Sequence, residues 1–228
     1  MKMLPGFAGF LLCVMLSHVE AKEAKMKPFA FPAAQYADFA LSKDARTWDA
    51  KHPINKKALE DGDGQPLNVL RENKTEKWVQ VYAASCQNTL KMPFGWFGLD
   101  DGSTTYFWTP DEKTRIICAF NSLEDSKPPA NTTLWAHFKN GALAQMRKQM
   151  PKARFRQFSL KDGSFGIEAR GIRSESGREV SFLQIWKHNP QLPAFALSLS
   201  LTSPAASYEH NLGLIGLMLR DRKVQWTH

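Results

Sequence analysis

The chain has 228 residues, of which 43% are hydrophobic, 23% charged and 11% aromatic, a composition typical of a globular protein with one apolar core. It excludes a collagen-like chain, a coiled coil and a wholly disordered chain. Lysine and arginine outnumber the acidic residues by 30 to 22, and the formal charge of +8 favours acidic partners or surfaces without naming one.

The first 21 residues have the pattern of a secretory signal peptide. Lys2 precedes an apolar run over residues 4–16, and Ala21 closes the small-x-small ending that signal peptidase accepts. The run is roughly 13 residues long, shorter than the ~20 that a membrane-spanning helix needs. We therefore expect a mature chain that begins at Lys22 and is periplasmic or secreted, with no transmembrane segment. An uncleaved membrane anchor is the alternative.

Two cysteines, Cys86 and Cys118, remain after this cleavage, and each lies in or at the end of a strand-like run. In an oxidising compartment such a pair favours a disulfide bond. It would close a loop of about 32 residues and add on the order of 3 to 4 kcal/mol to stability. Two buried thiols are the alternative, because the sequence does not show whether the two Cα atoms are close enough.

Residues 22–76 are polar and contain turn-forming pairs such as Asp61-Gly62 and Gln65-Pro66. This composition predicts an irregular N-terminal region packed on a domain over residues 77–228. Regular structure is first indicated at residues 78–83, which favour a strand.

A hairpin and a helix follow. Residues 105–108 and 115–120 favour strands and flank a turn, which predicts the hairpin. The helix is expected to start near Asn131 or Thr132, a capping residue, and to end before Pro151. Its apolar stripe is formed by Leu134, Phe138, Ala142 and Met146.

Four further strands are predicted over residues 154–160, 165–171, 180–186 and 195–201. If Asp162-Gly163 forms a two-residue turn, the first two of these strands pair with Leu160 opposite Phe165 and Phe158 opposite Ile167.

A second helix is predicted near the C-terminus, with Ser203 as its cap and Pro204 at its first position. Gly213 and Gly216 lower its intrinsic propensity, which indicates close packing on the sheet. Residues 223–226 favour a last strand. The predicted class is α+β: a single-domain sandwich in which an antiparallel β-sheet is flanked by two main helices.

Motifs with a chemical mechanism are absent from the sequence. It has no phosphate-binding loop, no dinucleotide-binding glycine motif and no GxSxG nucleophile elbow, and its histidines lack metal-ligand spacing. A calcium-loop spacing at Asp61, Asp63 and Glu72 is broken by Pro66, which stands where a glycine is needed. We therefore expect no catalytic residues, no metal and no cofactor.

Two groups of residues are candidates for contact with a partner. The first, which we call the basic segment, has five cations and no acid: Arg147, Lys148, Lys152, Arg154 and Arg156. It suits an anionic ligand or an acidic partner, although a solvated helix end and strand edge are the simpler explanation. The second is Trp96 and Phe97, between two glycines, which form either an exposed aromatic contact loop or a core plug.

The order of elements from Leu134 to Trp226 (helix, antiparallel strands, helix, short strand) resembles that of the PsbP-like group of small α/β sandwich proteins, which includes exported bacterial proteins. That resemblance implies a binding or accessory role without catalysis. We expect an exported protein that acts by protein–protein interaction in the cell envelope, as an accessory subunit or as an inhibitor or immunity protein against a toxin. Binding of an anionic ligand or lipid headgroup, and an enzyme site assembled only in three dimensions, remain alternatives; export disfavours nucleic acid.

Overall fold

The structure is a computed structural model of the chain, and it describes residues 29–45, 51–123, 128–173 and 177–224. The predicted signal peptide over residues 1–21 lies outside these ranges. Within them, no helix has both the length and the hydrophobicity of a membrane span.

Twelve strands and three α-helices make up the described part of the chain. The helices are α1 (Pro53–Asp61), α2 (Leu134–Gln149) and α3 (Ala205–Asp221). The strands are β1 (Gln65–Pro66), β2 (Asn68–Asn73), β3 (Trp78–Ala83), β4 (Asn88–Pro93), β5 (Phe97–Asp100), β6 (Thr104–Trp108), β7 (Arg115–Ser122), β8 (Arg154–Ser159), β9 (Phe165–Arg173), β10 (Glu179–His188), β11 (Phe195–Pro204) and β12 (Lys223–Val224).

The strands form two antiparallel sheets. The large sheet has eight strands in the order β1-β5-β6-β7-β11-β10-β9-β8, and the small sheet has four in the order β12-β4-β3-β2. The predicted α+β sandwich is therefore confirmed, with a second sheet that the sequence did not indicate. This sheet is completed by β12, which pairs with β4.

Side-chain alternation assigns the two faces of the large sheet to two cores. On β10, Leu183 and Ile185 point into the main core, which also contains α3 and the small sheet. Phe182 and Trp186, one residue out of step, join a second core under α2. The large sheet thus lies between α2 on its outer face and α3 with the small sheet on its inner face.

The N-terminal region is more regular than the sequence predicts. Its described part contains α1, and it supplies β1 to the large sheet and β2 to the small one. The expectation of an irregular segment over residues 22–76 is therefore wrong for these residues. It failed because β1 and β2 are held by pairing with distant strands, which turn-rich local composition does not reveal.

Residues 29–45 run across α3, and this explains the glycines of that helix. A Cβ at Gly216 would lie 2.6 Å from Phe31 Cβ, and one at Gly213 would lie 2.8 Å from Ala34 Cβ. The expectation of close packing was correct, but the neighbour is the N-terminal segment and not the sheet. Close approach of that segment is what requires glycine here.

Both predicted main helices are present, with different caps. Thr133, not Asn131 or Thr132, caps α2, and its hydroxyl accepts a hydrogen bond from Ala136 N at 3.1 Å. Ser203 is not a cap, because it belongs to β11 and its hydroxyl instead accepts from Asn211 Nδ2 at 2.8 Å.

The β8–β9 hairpin is present with a register one residue away from the predicted one. Phe158 faces Gly166 and not Ile167, and Ser159 faces Phe165. The turn has three residues, because Leu160 N donates to Ser164 O at 2.9 Å and Gly163 adopts a positive φ of +80°. This register directs Phe158 into the main core and leaves Ile167 under α2.

Candidate functional site

An aromatic layer fixes α2 to the outer face of the large sheet. Trp135 stacks on His188 with ring centroids 5.1 Å apart, and the ring of Phe138 meets Trp186 edge-on at 5.4 Å. Trp186 in turn stacks on Phe165 of β9 at 5.7 Å. These contacts place α2 over β9 and β10. The opposite side of the helix faces β7 and β11, and no other described element covers it there.

A groove of about 390 Å³ lies along that side of the helix, and we call it the α2 groove. Its apolar part is formed by Phe138, Ala142, Met146 and Trp186. Polar side chains surround this part: Asn121, His137, Gln145, Gln149 and Gln184. An apolar floor with a few convergent hydrogen-bonding groups is the usual composition of a binding site.

Asn121 is a polar group of the α2 groove that is held by hydrogen bonds to two strands. Its Nδ2 donates to Ser198 Oγ at 2.8 Å and lies 3.1 Å from Ala119 O, so the amide plane is fixed by β7 and β11. The sequence could not identify this residue, because its partners on β11, Ser198 and Ala196, stand more than seventy positions away along the chain. The glutamines of α2 carried a weak signal, since they flank the predicted apolar stripe.

Cations outnumber acids on α2 and in the described lining of its groove. No aspartate or glutamate is among the described residues that line the α2 groove, and the sequence of α2 includes Lys139, Arg147 and Lys148 but no carboxylate. The last two cations lie in the final turn of the helix, where the helix dipole favours positive charge. The charge that α2 itself contributes beside the groove is therefore positive.

The structure divides the basic segment between two places. Arg147 and Lys148 end α2 and Lys152 lies in the following turn, whereas Arg154 and Arg156 lie on β8. Phe155 points toward α2, so the two arginines beside it project from the inner face of the sheet. The five cations are exposed, but they do not form one flat patch.

Within the described ranges, none of these five cations forms an ion pair. Arg156 makes one close contact, with its guanidinium 5.0 Å from the ring centre of Phe29. Arg170 on the neighbouring strand differs, because it binds Glu168 at 2.8 Å and Glu209 at 2.5 Å. These carboxylates raise the pKa of Arg170. The basic segment thus offers its charge to solvent or to a partner.

Trp96 and Phe97 do not form an exposed contact loop. Trp96 is 2% exposed and Phe97 5% exposed, and Trp96 Nε1 donates to Phe39 O at 3.0 Å. This contradicts the expected aromatic contact site and agrees with the alternative of a core plug. The reason is Gly95, which allows residues 41 and 42 to approach closely: a Cβ there would lie 2.6 Å from Ser42 N.

The two cysteines meet between the sheets. Both are buried free thiols, Cys86 at the end of the short helical turn after β3 and Cys118 on β7, and their side chains are within hydrogen-bonding reach. Asn88 Nδ2 donates to Cys118 Sγ at 3.5 Å, and Thr105 Oγ1 lies 3.9 Å from Cys86 Sγ. The predicted disulfide remains a prediction, and the fold brings its two residues together.

A buried arginine lies beside this pair. The side chain of Arg222 is 5% exposed, and its nearest carboxylate oxygen, on Asp162, is 3.8 Å away. Burial lowers the pKa of the Arg222 guanidinium, and the neighbouring cysteines and Asp162 act in the opposite direction. This residue was not predictable, because nothing in its local sequence distinguishes it from a surface cation.

The described residues contain no cluster of histidine, cysteine, aspartate and glutamate side chains of the kind that binds a metal ion. The residues with the broken calcium-loop spacing, 61–72, do not form a single loop in the structure. They extend from the end of α1 into β2, and Asp61 instead binds Lys57.

Comparison with known proteins gives likeness of fold only. No protein-family model matches the chain, and no curated protein matches it. Ran-binding protein Mog1p of Saccharomyces cerevisiae is similar with a TM-score of 0.46 and 13% identity, over 64% of this chain and 95% of that one. Cyanobacterial PsbP from Synechocystis is similar with a TM-score of 0.44 and 12% identity, over 65% and 93%. The weak PsbP-like resemblance is thus also found among solved structures, and likeness at this level carries no conclusion about function.

Proposed function

We propose that this chain is a non-catalytic binding protein of the cell envelope, which holds a segment of a partner protein in the α2 groove. The observation that carries the proposal is the composition of that groove: an apolar floor of Phe138, Met146 and Trp186 surrounded by polar side chains, most of which are amides. Within the proposal, the protein serves as an accessory subunit, or as an inhibitor or immunity protein against a toxin.

The polar groups of the α2 groove suit recognition better than acid–base chemistry. Gln145, Gln149, Gln184 and Asn121 have amides, which donate and accept hydrogen bonds but do not exchange protons near neutral pH. Among the described residues of its lining, His137 is the one titratable side chain. Amides can pair with the backbone of an extended segment, while the apolar floor accepts one of its side chains.

The charge of α2 also indicates which charge the bound segment of the partner carries. Because α2 carries three cations and no carboxylate, a bound segment with aspartate or glutamate beside its apolar anchor is favoured over a basic one. Location in the envelope rests on the signal-peptide pattern of residues 1–21.

Partner capture with two matched variants tests this function. Gly141 lines the groove and a Cβ there meets nothing within 4 Å, so Gly141→Phe fills the groove without disturbing the core. Ala144 is exposed on the same helix outside the groove, and Ala144→Phe is the control. We expect wild type and control to retain a stoichiometric partner from the envelope fraction of the native host, and Gly141→Phe to lose it. Equal retention by both variants, or no stoichiometric partner for wild type, would contradict the proposal.

A further inference from the structure

The large sheet ends in a strand with an open edge. β8 is the last strand in the sheet order, and among the described residues no strand pairs with its outer side. Its six residues, Arg154–Ser159, all lie in the ladder with β9. An open edge of this kind presents unpaired N–H and C=O groups.

The register identifies which backbone groups are unpaired. Leu160 N donates to Ser164 O, so this pair is hydrogen-bonded. Hydrogen-bonded and non-hydrogen-bonded pairs alternate along an antiparallel ladder. The N–H and C=O groups of Phe155, Gln157 and Ser159 therefore point away from β9 toward the open edge.

The two faces of β8 carry different kinds of side chain. Arg154 and Arg156 project on the inner face, while Phe155 is partly buried against the α2 core on the outer face. Lys152 precedes them in the chain, and neither it nor Arg154 has an ion pair in the described structure. A strand laid along this edge meets cations at two successive inner-face positions, 154 and 156.

We propose that the open edge of β8 binds an acidic β-strand of a partner protein, which extends the large sheet by one strand. Acidic side chains at alternate positions of the incoming strand pair with Arg154 and Arg156, and intervening apolar side chains lie beside Phe155. Like charges on an edge oppose pairing between two copies of this chain, and the same arginines favour an acidic strand. This surface is distinct from the α2 groove.

Amide exchange with a defined peptide probe tests the proposal. The probe is a blocked peptide of about nine residues that alternates glutamate with valine and threonine, a length that spans one typical strand. At saturation we expect exchange of the Phe155, Gln157 and Ser159 amides to slow by about tenfold or more. A peptide of the same composition with a central proline pair, which is unable to form a strand, should bind more weakly and give no protection. Equal binding by both peptides without protection would show a simple charge patch and overturn the proposal.

Two sets of variants separate backbone pairing from charge. Gln157→Pro removes an outward N–H that the fold does not use, since proline is tolerated at such edge positions, and Gln157→Ala is its control. We expect Gln157→Pro, but not Gln157→Ala, to abolish binding of the probe, with the far-ultraviolet circular dichroism unchanged for both. Reversal of both arginines to glutamate should weaken binding by about tenfold. Unchanged affinity in either Gln157→Pro or the reversed variant would refute strand addition.

The variant Gly141→Phe distinguishes this proposal from the proposed function. Because it fills only the α2 groove, we expect it to bind the acidic peptide with wild-type affinity. Loss of peptide binding in Gly141→Phe would place the peptide in the groove and contradict an edge site.

Discussion

Burial and hydrogen bonding act in opposite directions on the Cys86 thiol. Burial alone would raise its pKa, but hydrogen bonds with Cys118, Asn88 and Thr105 together hold the pKa of Cys86 below its ordinary value. Burial and the adjacent Cys86 raise the pKa of Cys118. Both side chains are buried, so their hydrogen-bond partners and their burial, and not contact with solvent, set these directions.

We predict that this pair is oxidised in the mature protein. The bond would join the segment after β3 to β7 and so link the two sheets. Reduction should then lower the free energy of unfolding by about 3 to 4 kcal/mol, for a closed loop of about 32 residues. Intact mass after alkylation, with and without reductant, measures the state of the thiols. Two alkylatable thiols in the unreduced mature protein would contradict the prediction.

Asp100 connects three segments through hydrogen bonds to its carboxylate. It accepts from Ser85 N at 2.9 Å, Gly102 N at 2.9 Å and Thr105 Oγ1 at 2.9 Å. Burial opposes ionisation, but these bonds outweigh it and lower the pKa of Asp100. A lowered pKa in the folded state means that the stabilisation is complete above the ordinary value of 3.8 and is lost as the pH falls through the folded value.

We expect Asp100→Asn to lower the free energy of unfolding by about 1 to 2 kcal/mol near neutral pH, because the amide cannot accept all of these bonds. The difference from wild type should shrink below the ordinary carboxyl pKa of 3.8. Urea unfolding at several pH values measures both effects, with the exposed Asp63→Asn as control. A difference that is constant over the whole pH range would show that the carboxylate charge is not the cause.

Helices and strands that are determined by the residue pattern of their own segment were predictable from the sequence. The helix stripe and Pro151 located α2, alternation located β11, and a run that is apolar on both sides located β10, because period and breakers act within one segment. The β8–β9 register was not predictable, because Asp162-Gly163 fits both a two-residue and a three-residue turn. The choice depends on the main core, where a Cβ at Gly166 would collide with the ring of Phe158.

We predict that Gly166→Ala destabilises the protein through this hairpin. Phe158 is fully buried, so the added methyl group must displace its ring at a cost of about 1 to 3 kcal/mol. Gly141→Ala is the matched control, because Gly141 lies inside a helix with open space at its Cβ and alanine should stabilise it by about 1 kcal/mol. Thermal unfolding measures the change in stability of both variants. A Gly166→Ala variant as stable as wild type would contradict the observed register.

Residues 29–45 form long-range contacts within the main core that the sequence did not indicate. Phe39 belongs to the main core with 3% exposure, its carbonyl binds Trp96, and its ring packs against His210 of α3 at 4.4 Å. Such long-range contacts join residues with no common local pattern. The α2 groove was unpredictable for the same reason, since its lining comes from β7, α2 and β10.

We expect Phe39→Ala to lower the free energy of unfolding by about 3 to 5 kcal/mol, because it opens a cavity between the N-terminal segment, α3 and Trp96. Leu41 is two residues away and 55% exposed, and Leu41→Ala should change stability by less than about 0.5 kcal/mol. Chemical denaturation compares the pair. Equal effects would show that residues 29–45 are not part of the cooperative fold.

Binding of a partner protein in the α2 groove is the central claim. Hydrogen exchange of the chain, alone and in complex with its captured partner, tests it most directly at single-residue level. We predict slower exchange in the complex for the amides of residues 137–149 and 184–186, which border the groove, and little change along α3. Protection confined to α3 or to the small sheet, with the groove amides unchanged, would contradict the account.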